Sequence, residues 1–414
     1  MTRFFFMFLV GIIVSCYYYS FSFTFLPEKI NTKMMLAVIG AFLMIYNLCR
    51  VQTITISKDF LGAIGLAVAF SFVCFVSTDY NNTNDYVYAT YFVSFSVWLL
   101  GAYTVCVAIR KLHGRVSLRL LTYYLTGVST AQCLLAILID RMPAVRFGID
   151  RYIYQGQDFL LEINRLYGIG ASLDSAGVRF SVVLVMIAVV LYQDRLVRLR
   201  TRHMLVLIGC YFVISLIGNM VARTTSVGMI LGFAYMFLAT GILRLVIRLD
   251  YIKLQFVFGG VLLLVGAVSV FLYHQDPVFY QNIRFAFEGF FNWMETGEWF
   301  TGSTDKLNRE MWVWPTDTST WLIGTGLFDN FVFSTDIGYC RFILYCGISG
   351  ILIFSLFFIY NAFVFVRRFP AYKSLFLLLL LLGFVVWFKV STDIFFIYAL
   401  FYSMDKVCVD DWCD

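Results

Sequence analysis

Apolar residues along this chain come in long unbroken runs rather than in stripes. "FFFMFLVGIIVSCYYYSFSFTFL" stands near its start, "LFLLLLLLGFVVWF" near its end, and similar runs recur between them. Wound as a helix, about 18 residues or more at about 1.5 Å each cross the hydrocarbon of a bilayer. Strands of a transmembrane barrel would instead alternate apolar and polar positions, which these runs do not do. The pattern therefore predicts an all-α polytopic membrane protein with spans near 4–26, 33–49, 59–77, 86–109, 116–138, 177–193, 203–219, 226–243, 254–273, 338–362, 374–389 and 393–404. These twelve spans form a single membrane domain over 1–414. The first run is too long and too aromatic for a signal peptide and lacks a small-x-small cleavage site, so it reads as a span.

Composition agrees. Hydrophobic residues make up 61% and charged residues 14% of the chain, a balance that a soluble protein of this size could not cover with polar surface. The ten cysteines lie mostly within the runs, with neither a CxxC pair nor a His/Cys cluster. They read as small apolar core residues, and no metal or other cofactor is expected. The formal charge of +6 concentrates in the short loops "RKLHGR", "QDRLVRLRTRH", "RLVIRLDYIK" and "VRRFPAYK". All four fall on one face, which the positive-inside rule makes cytoplasmic. That charge is orientation, and no nucleic-acid module is present. "STDYNNTNDY" has no Lys or Arg and falls opposite, while "PEKINTK" places two lysines against the trend. Both termini then lie inside.

Two connectors on the opposite face are long, about 140–176 and 274–336. Long loops in a compact protein are commonly functional. The second is dense in Trp and Phe, which suits either the bilayer interface or stacking on sugar rings. External arginines run against the orientation rule and need a reason. Arg223 lies in "GNMVARTTSVG", a tight turn between two spans. A single such residue could snorkel to lipid phosphate. For the group, a bound anion is the better account, because guanidinium forks match phosphate oxygens two at a time.

Four stretches resemble the O-antigen polymerase and ligase superfamily. "RLYGIGASLDSAGVRFSVVL" is similar to its R-x-x-G element, and "ARTTSVGMILG" to its Ser/Thr–Arg turn, although here the polar residues follow Arg223. "NREMWVWPTDTSTWLIGTGLFDN" resembles its R-x-x-W…G-x-G element through Arg309, Trp312, Gly324 and Gly326. "STDIGYCRFILYCGISG" resembles the element that opens the next span, through Asp336, Gly338, Tyr339, Gly347 and Gly350. Ligases of the superfamily carry a histidine where this chain has Asp336, and that departure favours a Wzy-type polymerase.

The resemblance implies a GT-C-like glycosyltransferase architecture with two long periplasmic loops, in the inner membrane of a bacterium. It also implies inverting, metal-independent transfer of repeat units carried on undecaprenyl diphosphate, with membrane lipid around the chain and a chain-length regulator as a further partner. Transfer from a diphosphate needs its departing charge held and the acceptor proton received. Arg165, Arg223, Arg309 and Arg341 are expected to bind diphosphate, Asp336 to act as the base, and Trp312 and Tyr339 to stack on sugar. Asp174 and Glu310 are the next carboxylates to consider. Asp336 could equally cap the helix that follows it. A ligase, and a flippase for the same lipid-linked units, remain open as alternatives.

Overall fold

The structure, a computed structural model, describes residues 2–27, 30–52, 57–162, 165–239, 249–328 and 333–404. The end of the expected span 226–243, the first half of "RLVIRLDYIK" and the acidic C-terminal tail lie outside the described residues.

The described residues are almost wholly helical. The chain runs through α1 (Thr2–Tyr18), α2 (Thr32–Val51), α3 (Lys58–Tyr80), α4 (Tyr91–His113), α5 (Leu118–Arg141), α6 (Pro143–Tyr152) and α7 (Gln157–Glu162). It continues through α8 (Leu173–Gln193), α9 (Arg195–Leu199), α10 (Thr201–Val221), α11 (Thr225–Ala239), α12 (Leu249–Gln275), α13 (Pro277–Ala286) and α14 (Glu288–Thr296). Last come α15 (Gly302–Glu310), α16 (Thr318–Ile323), α17 (Gly338–Arg368), α18 (Lys373–Val386) and α19 (Phe395–Tyr402). One antiparallel pair of two-residue strands, β1 (Ser22–Phe23) and β2 (Ile153–Tyr154), joins the connector after α1 to the long connector after α5.

Among the described residues, eight helices are long and apolar enough to cross a membrane: α2, α3, α4, α5, α8, α10, α12 and α17. The shorter apolar helices α1, α11 and α18 also occupy expected spans. The chain is thus an all-α protein with multiple membrane-crossing helices. The long connectors hold short helices, α6 and α7 in one and α13 to α16 in the other, rather than irregular chain.

The chain divides into two compact units, a division that composition does not mark. One comprises Met1–Met35 and Val105–Trp299, the other Leu36–Thr104 and Phe300–Ser403. In the first unit α8 is the central helix, buried at almost every position from Ala176 to Tyr192. It packs against α11 through glycines: a Cβ on Gly228 would sit 2.2 Å from the Ser181 Cα, and one on Gly177 would sit 2.9 Å from the Ala222 and Thr224 Cβ atoms. Small residues of this kind let helix backbones approach where lipid gives no hydrophobic drive between helices.

The second unit is organised by a break in α17. Cys346 (φ −127°, ψ 15°) and Gly347 (φ 66°, ψ −176°) leave helical geometry. The Phe342 and Phe354 rings lie 5.1 Å apart, whereas twelve residues of straight helix would separate them by about 18 Å. The two limbs therefore fold toward each other. Carbonyls orphaned by the break need donors, because lipid supplies none. Thr325 N donates to the Leu344 carbonyl at 2.7 Å and Gly326 N to that of Tyr345 at 3.0 Å, while the Ser77 hydroxyl adds a 2.7 Å bond to Tyr345. The segment after α16 thus plugs the gap. It fits only without side chains: a Cβ on Gly324 would lie 2.3 Å from the Tyr345 carbonyl oxygen, and one on Gly347 would lie 2.2 Å from that of Leu322.

The expected span 393–404 holds only the eight-residue α19, about 12 Å of helical rise. Its approach, Val390–Ile394, is not helical. Ser391 lies beside Arg341 near the start of α17, and Tyr402 beside Arg368 at its end. The segment therefore follows α17 partly as extended chain. Its exposed backbone groups find partners within the protein: Trp387 Nε1 donates to the Thr392 carbonyl at 2.7 Å and Phe395 N donates to Asp393 Oδ1 at 2.8 Å.

Candidate functional site

Arg165 and Arg223 stand 58 positions apart in the sequence and meet in the first unit. The turn that carries Arg223 is short because α10 ends at Val221 and α11 begins at Thr225. It is pinned to α8, where the Ser181 hydroxyl donates to the Thr224 carbonyl at 3.0 Å and accepts from Gly228 N at 3.1 Å. Arg165 opens the segment 165–172. The buried Gln132 accepts from Ile169 N there, and Gln155 accepts from Gly170 N, each at 2.8 Å. The glycines of "RLYGIG" belong to this anchoring. A Cβ on Gly168 would sit 2.6 Å from Gln132 Oε1, and one on Gly170 (φ +68°) would sit 2.5 Å from the Tyr19 carbonyl oxygen.

Both guanidinium groups lie over the Phe285 ring, at 3.7 Å for Arg165 and 4.6 Å for Arg223. Arg223 pairs with Glu288, and Asp174 accepts from the Thr224 hydroxyl. Burial and the adjacent Arg223 charge pull the Arg165 guanidinium below the ordinary arginine range, while Asp174 and Glu288 act the other way. Two like charges share one small volume, balanced by two carboxylates. Phe285, Glu288 and Asp174 complete a cluster of which the sequence reading held only the arginines and, as a reserve carboxylate, Asp174. Close to the same segment, Tyr167 donates to Asp150 at 3.1 Å. Burial, followed by the Asp150 charge, pushes its phenol up to about 12.

The remaining candidates lie in the second unit. Arg341 sits over the Phe328 ring at 4.1 Å, donates to the Phe328 carbonyl at 2.5 Å and to the Ser391 hydroxyl at 2.9 Å. Asp85, in the same unit, accepts from Phe328 N at 2.5 Å. Trp312 and Tyr339 fall on one row of rings. Trp321 stacks on Trp314 at 5.9 Å and Trp314 lies 5.7 Å from Trp312. Phe388 then touches both Trp312, at 6.4 Å, and Tyr339, at 5.1 Å. Trp312, Trp314 and Phe388 are exposed, and spacings of 5 to 7 Å are those of ordinary ring contacts.

Asp336 is exposed and has no hydrogen-bond partner among the described residues. It does not cap α17. The cap position is Ile337, without a side-chain bond, and Thr335 is the residue that accepts from Ile337 N, at 3.2 Å. Arg309 is 76% exposed and pairs with Asp305 one turn away on its own helix; Glu310 beside it is exposed as well. Neither joins the other candidates. No known protein family, no functionally characterised protein and no solved structure matches the chain.

Proposed function

We propose that this chain is a glycosyltransferase of the bacterial inner membrane that joins oligosaccharide repeat units carried on polyprenyl diphosphate into a surface polysaccharide. In this reading the crossings number twelve, the architecture is GT-C-like, and both long connectors face the periplasm. The observation that carries it is the meeting of Arg165 and Arg223 over Phe285. Two guanidinium groups gathered on one ring, with Glu288 and Asp174 as replaceable counter-charges, suit a diphosphate. Such a clamp is worth most where water is scarce. In the second unit, taken by itself, the row from Trp321 through Trp312 to Tyr339 suits a glycan, since pyranoses present apolar faces to aromatic rings. Undecaprenyl diphosphate is the carrier that the sequence resemblance implies, and a chain-length regulator the further protein partner.

One observation favours a second reading, a flippase for the same lipid-linked units. Transporters bind at discontinuous helices, and both the break in α17 and the non-helical approach to α19 are of that kind. Deletion of the gene, with the surface glycan run on a gel, separates the two. Loss of a polymerase leaves single repeat units on the cell surface, loss of a ligase leaves polymer on the carrier, and loss of a flippase leaves neither outside. Absence of single repeat units in the deletion strain overturns the polymerase reading.

A further inference from the structure

In the first unit, α14 is amphipathic in the wrong sense for a helix beside water. Phe290, Trp293 and Met294 recur at the three- and four-residue spacing that gathers side chains on one helix face. That face is the exposed one, at 43%, 52% and 65% for the three residues. Glu288, Asn292 and Glu295 share the opposite face by the same spacing. Both carboxylates are engaged within the unit, Glu288 by Arg223 and Glu295 by Arg284, whose Nη2 donates to Oε2 at 3.1 Å. A helix on a watery surface turns its apolar face inward and its charges outward. α14 does the reverse, which suits a surrounding of hydrocarbon.

The end of α12 fixes the depth of this helix. α12 leaves Leu263, Leu264, Val270 and Phe271 exposed, as a lipid-facing span does, and its apolar stretch ends at Gln275. Asp276 (φ −122°, ψ 106°) then breaks the helix and caps α13, accepting from Val278 N at 3.0 Å. Tyr273, just before the exit, lies 4.7 Å from the Tyr280 ring and stacks on Phe291 at 5.8 Å. α14 has therefore folded back to the level at which α12 leaves the bilayer, the level that Trp and Tyr favour. From there the rings continue, Phe291 to Phe290 at 5.8 Å and Phe290 to Trp293 at 6.3 Å. The exposed face of α14 is thus continuous with the lipid-facing surface of α12.

We infer that α14 lies in the plane of the membrane interface, with Phe290, Trp293 and Met294 among the lipid chains. The same helix is tied to the arginine pair. Glu288, its first residue, pairs with Arg223, and Phe285, just before it, lies under both Arg165 and Arg223. A helix laid in the interface keeps its ends at one depth, at the boundary of headgroups and chains. It therefore sets the two guanidinium groups level with the headgroups, where the phosphates of a lipid stand. The ligand is then a diphosphate borne on a lipid, taken from the leaflet beside α14, rather than a diphosphate dissolved in water. This inference rests on the diphosphate reading of the arginine pair given above.

The test uses purified full-length protein in phosphatidylcholine–phosphatidylglycerol vesicles, with acyl chains either plain or brominated near the headgroup. The fluorescence lost in Trp293→Phe isolates Trp293, while Met294→Trp and Thr296→Trp add reporters on the apolar face and the polar flank. Brominated lipid is expected to quench Trp293 and the ring added at position 294 more than aqueous iodide does, with the reverse order at position 296. Quenching of Trp293 by iodide and not by brominated lipid overturns the placement, and leaves the face to a glycan or a protein partner. A second arm compares binding of undecaprenyl diphosphate in the vesicles with binding of inorganic diphosphate in water. Met294→Glu, which puts a charge on the embedded face, is expected to weaken the lipid-borne ligand about tenfold and to leave inorganic diphosphate as in the parent. Equal effects on both ligands, or none on either, overturn the inference, because α14 then does not present the arginine pair to lipid. Inorganic diphosphate binding that Arg223→Ala leaves unchanged removes the diphosphate reading and the lipid-borne ligand with it, while brominated lipid still decides where α14 lies.

Discussion

Arg223 and Arg341 both follow from motifs in the sequence, yet the two units employ them differently. Arg341 donates to the Phe328 carbonyl and the Ser391 hydroxyl of its own unit. It ties the segment that plugs α17 to the segment that enters α19. Arg223 and Arg165 share one aromatic ring beside carboxylates. A phosphate can replace a carboxylate beside a guanidinium at little cost, whereas replacing a backbone carbonyl leaves that carbonyl orphaned. The partner of an arginine, more than its place in a motif, separates a staple from a clamp.

The most drastic way to break the staple is to fill the gap that it helps close. Gly347→Ala and Gly324→Ala each add a methyl group about 2.2–2.3 Å from a carbonyl oxygen, at backbone φ of +66° and +86°. Left-handed strain and overpacking each cost about 1–3 kcal/mol. Both variants are expected to lose most folded protein, read as the monodisperse peak in detergent chromatography. The clamp is expected to fail differently. Arg165→Ala and Arg223→Ala should keep protein level while polymer falls about 10²-fold, as for loss of a charge-stabilising donor. Lysine at either position should restore only part of it. Full activity in both alanine variants would remove the diphosphate clamp.

This contrast also marks what could be read from the chain. Helix positions were legible because the bilayer as solvent dictates apolar runs, and the Arg223 turn was legible because only a few polar residues separate two such runs. The break in α17 was not. Gly347 in "YCGISG" looks like any glycine that eases helix packing, and its role depends on Leu322 and Thr325, more than twenty positions earlier in the chain. The Phe285–Glu288 side of the arginine cluster was hidden for the same reason, being brought to Arg165 by tertiary packing across about 120 residues. The non-helical approach to α19 was hidden inside an apparent span. "STD" before "IFFIYALF" is the local signal that could have flagged it, since Ser, Thr and Asp stop a helix by bonding nearby backbone.

Arg341→Ala sharpens the comparison at intermediate size. Hydrogen bonds to charged groups contribute about 1.5–3 kcal/mol each, so loss of the two is expected to cost about 3 kcal/mol or more in stability, seen as a lower unfolding temperature before any assay of activity. A normal unfolding temperature with lost polymer would make Arg341 a clamp residue after all. A smaller effect is expected at Asp317, which caps α16 by accepting from Thr320 N at 2.8 Å. Its bonds to Ser319 and then Thr320 hold its carboxyl down at about 2. The folded value lies below the unfolded one, so the stabilisation is complete above the ordinary carboxylate range and is lost as pH falls toward 2. Trp321 fluorescence reports it. Asp317→Ala should loosen the Trp314–Trp321 pair already at neutral pH and remove the acid transition.

The smallest effect is expected at Arg309, where motif and surroundings disagree most. The resemblance of "NREMW" makes it a diphosphate ligand, but its side chain is 76% exposed and its partner, Asp305, lies on the same short helix at 2.8 Å. A solvated pair of this spacing is worth about 0.3–0.5 kcal/mol, and no ring or buried carboxylate accompanies it among the described residues. If partners decide what an arginine does, Arg309→Ala should leave unfolding temperature and glycan chain length near those of the parent, with initial rate within about twofold, the factor that such an energy represents. Arg309→Glu extends the test, because reversing the charge would repel a diphosphate at any site it forms but only lose one weak pair on a solvated helix. Polymer lost in both variants at normal protein level would show that an exposed arginine on the long connector reaches the substrate.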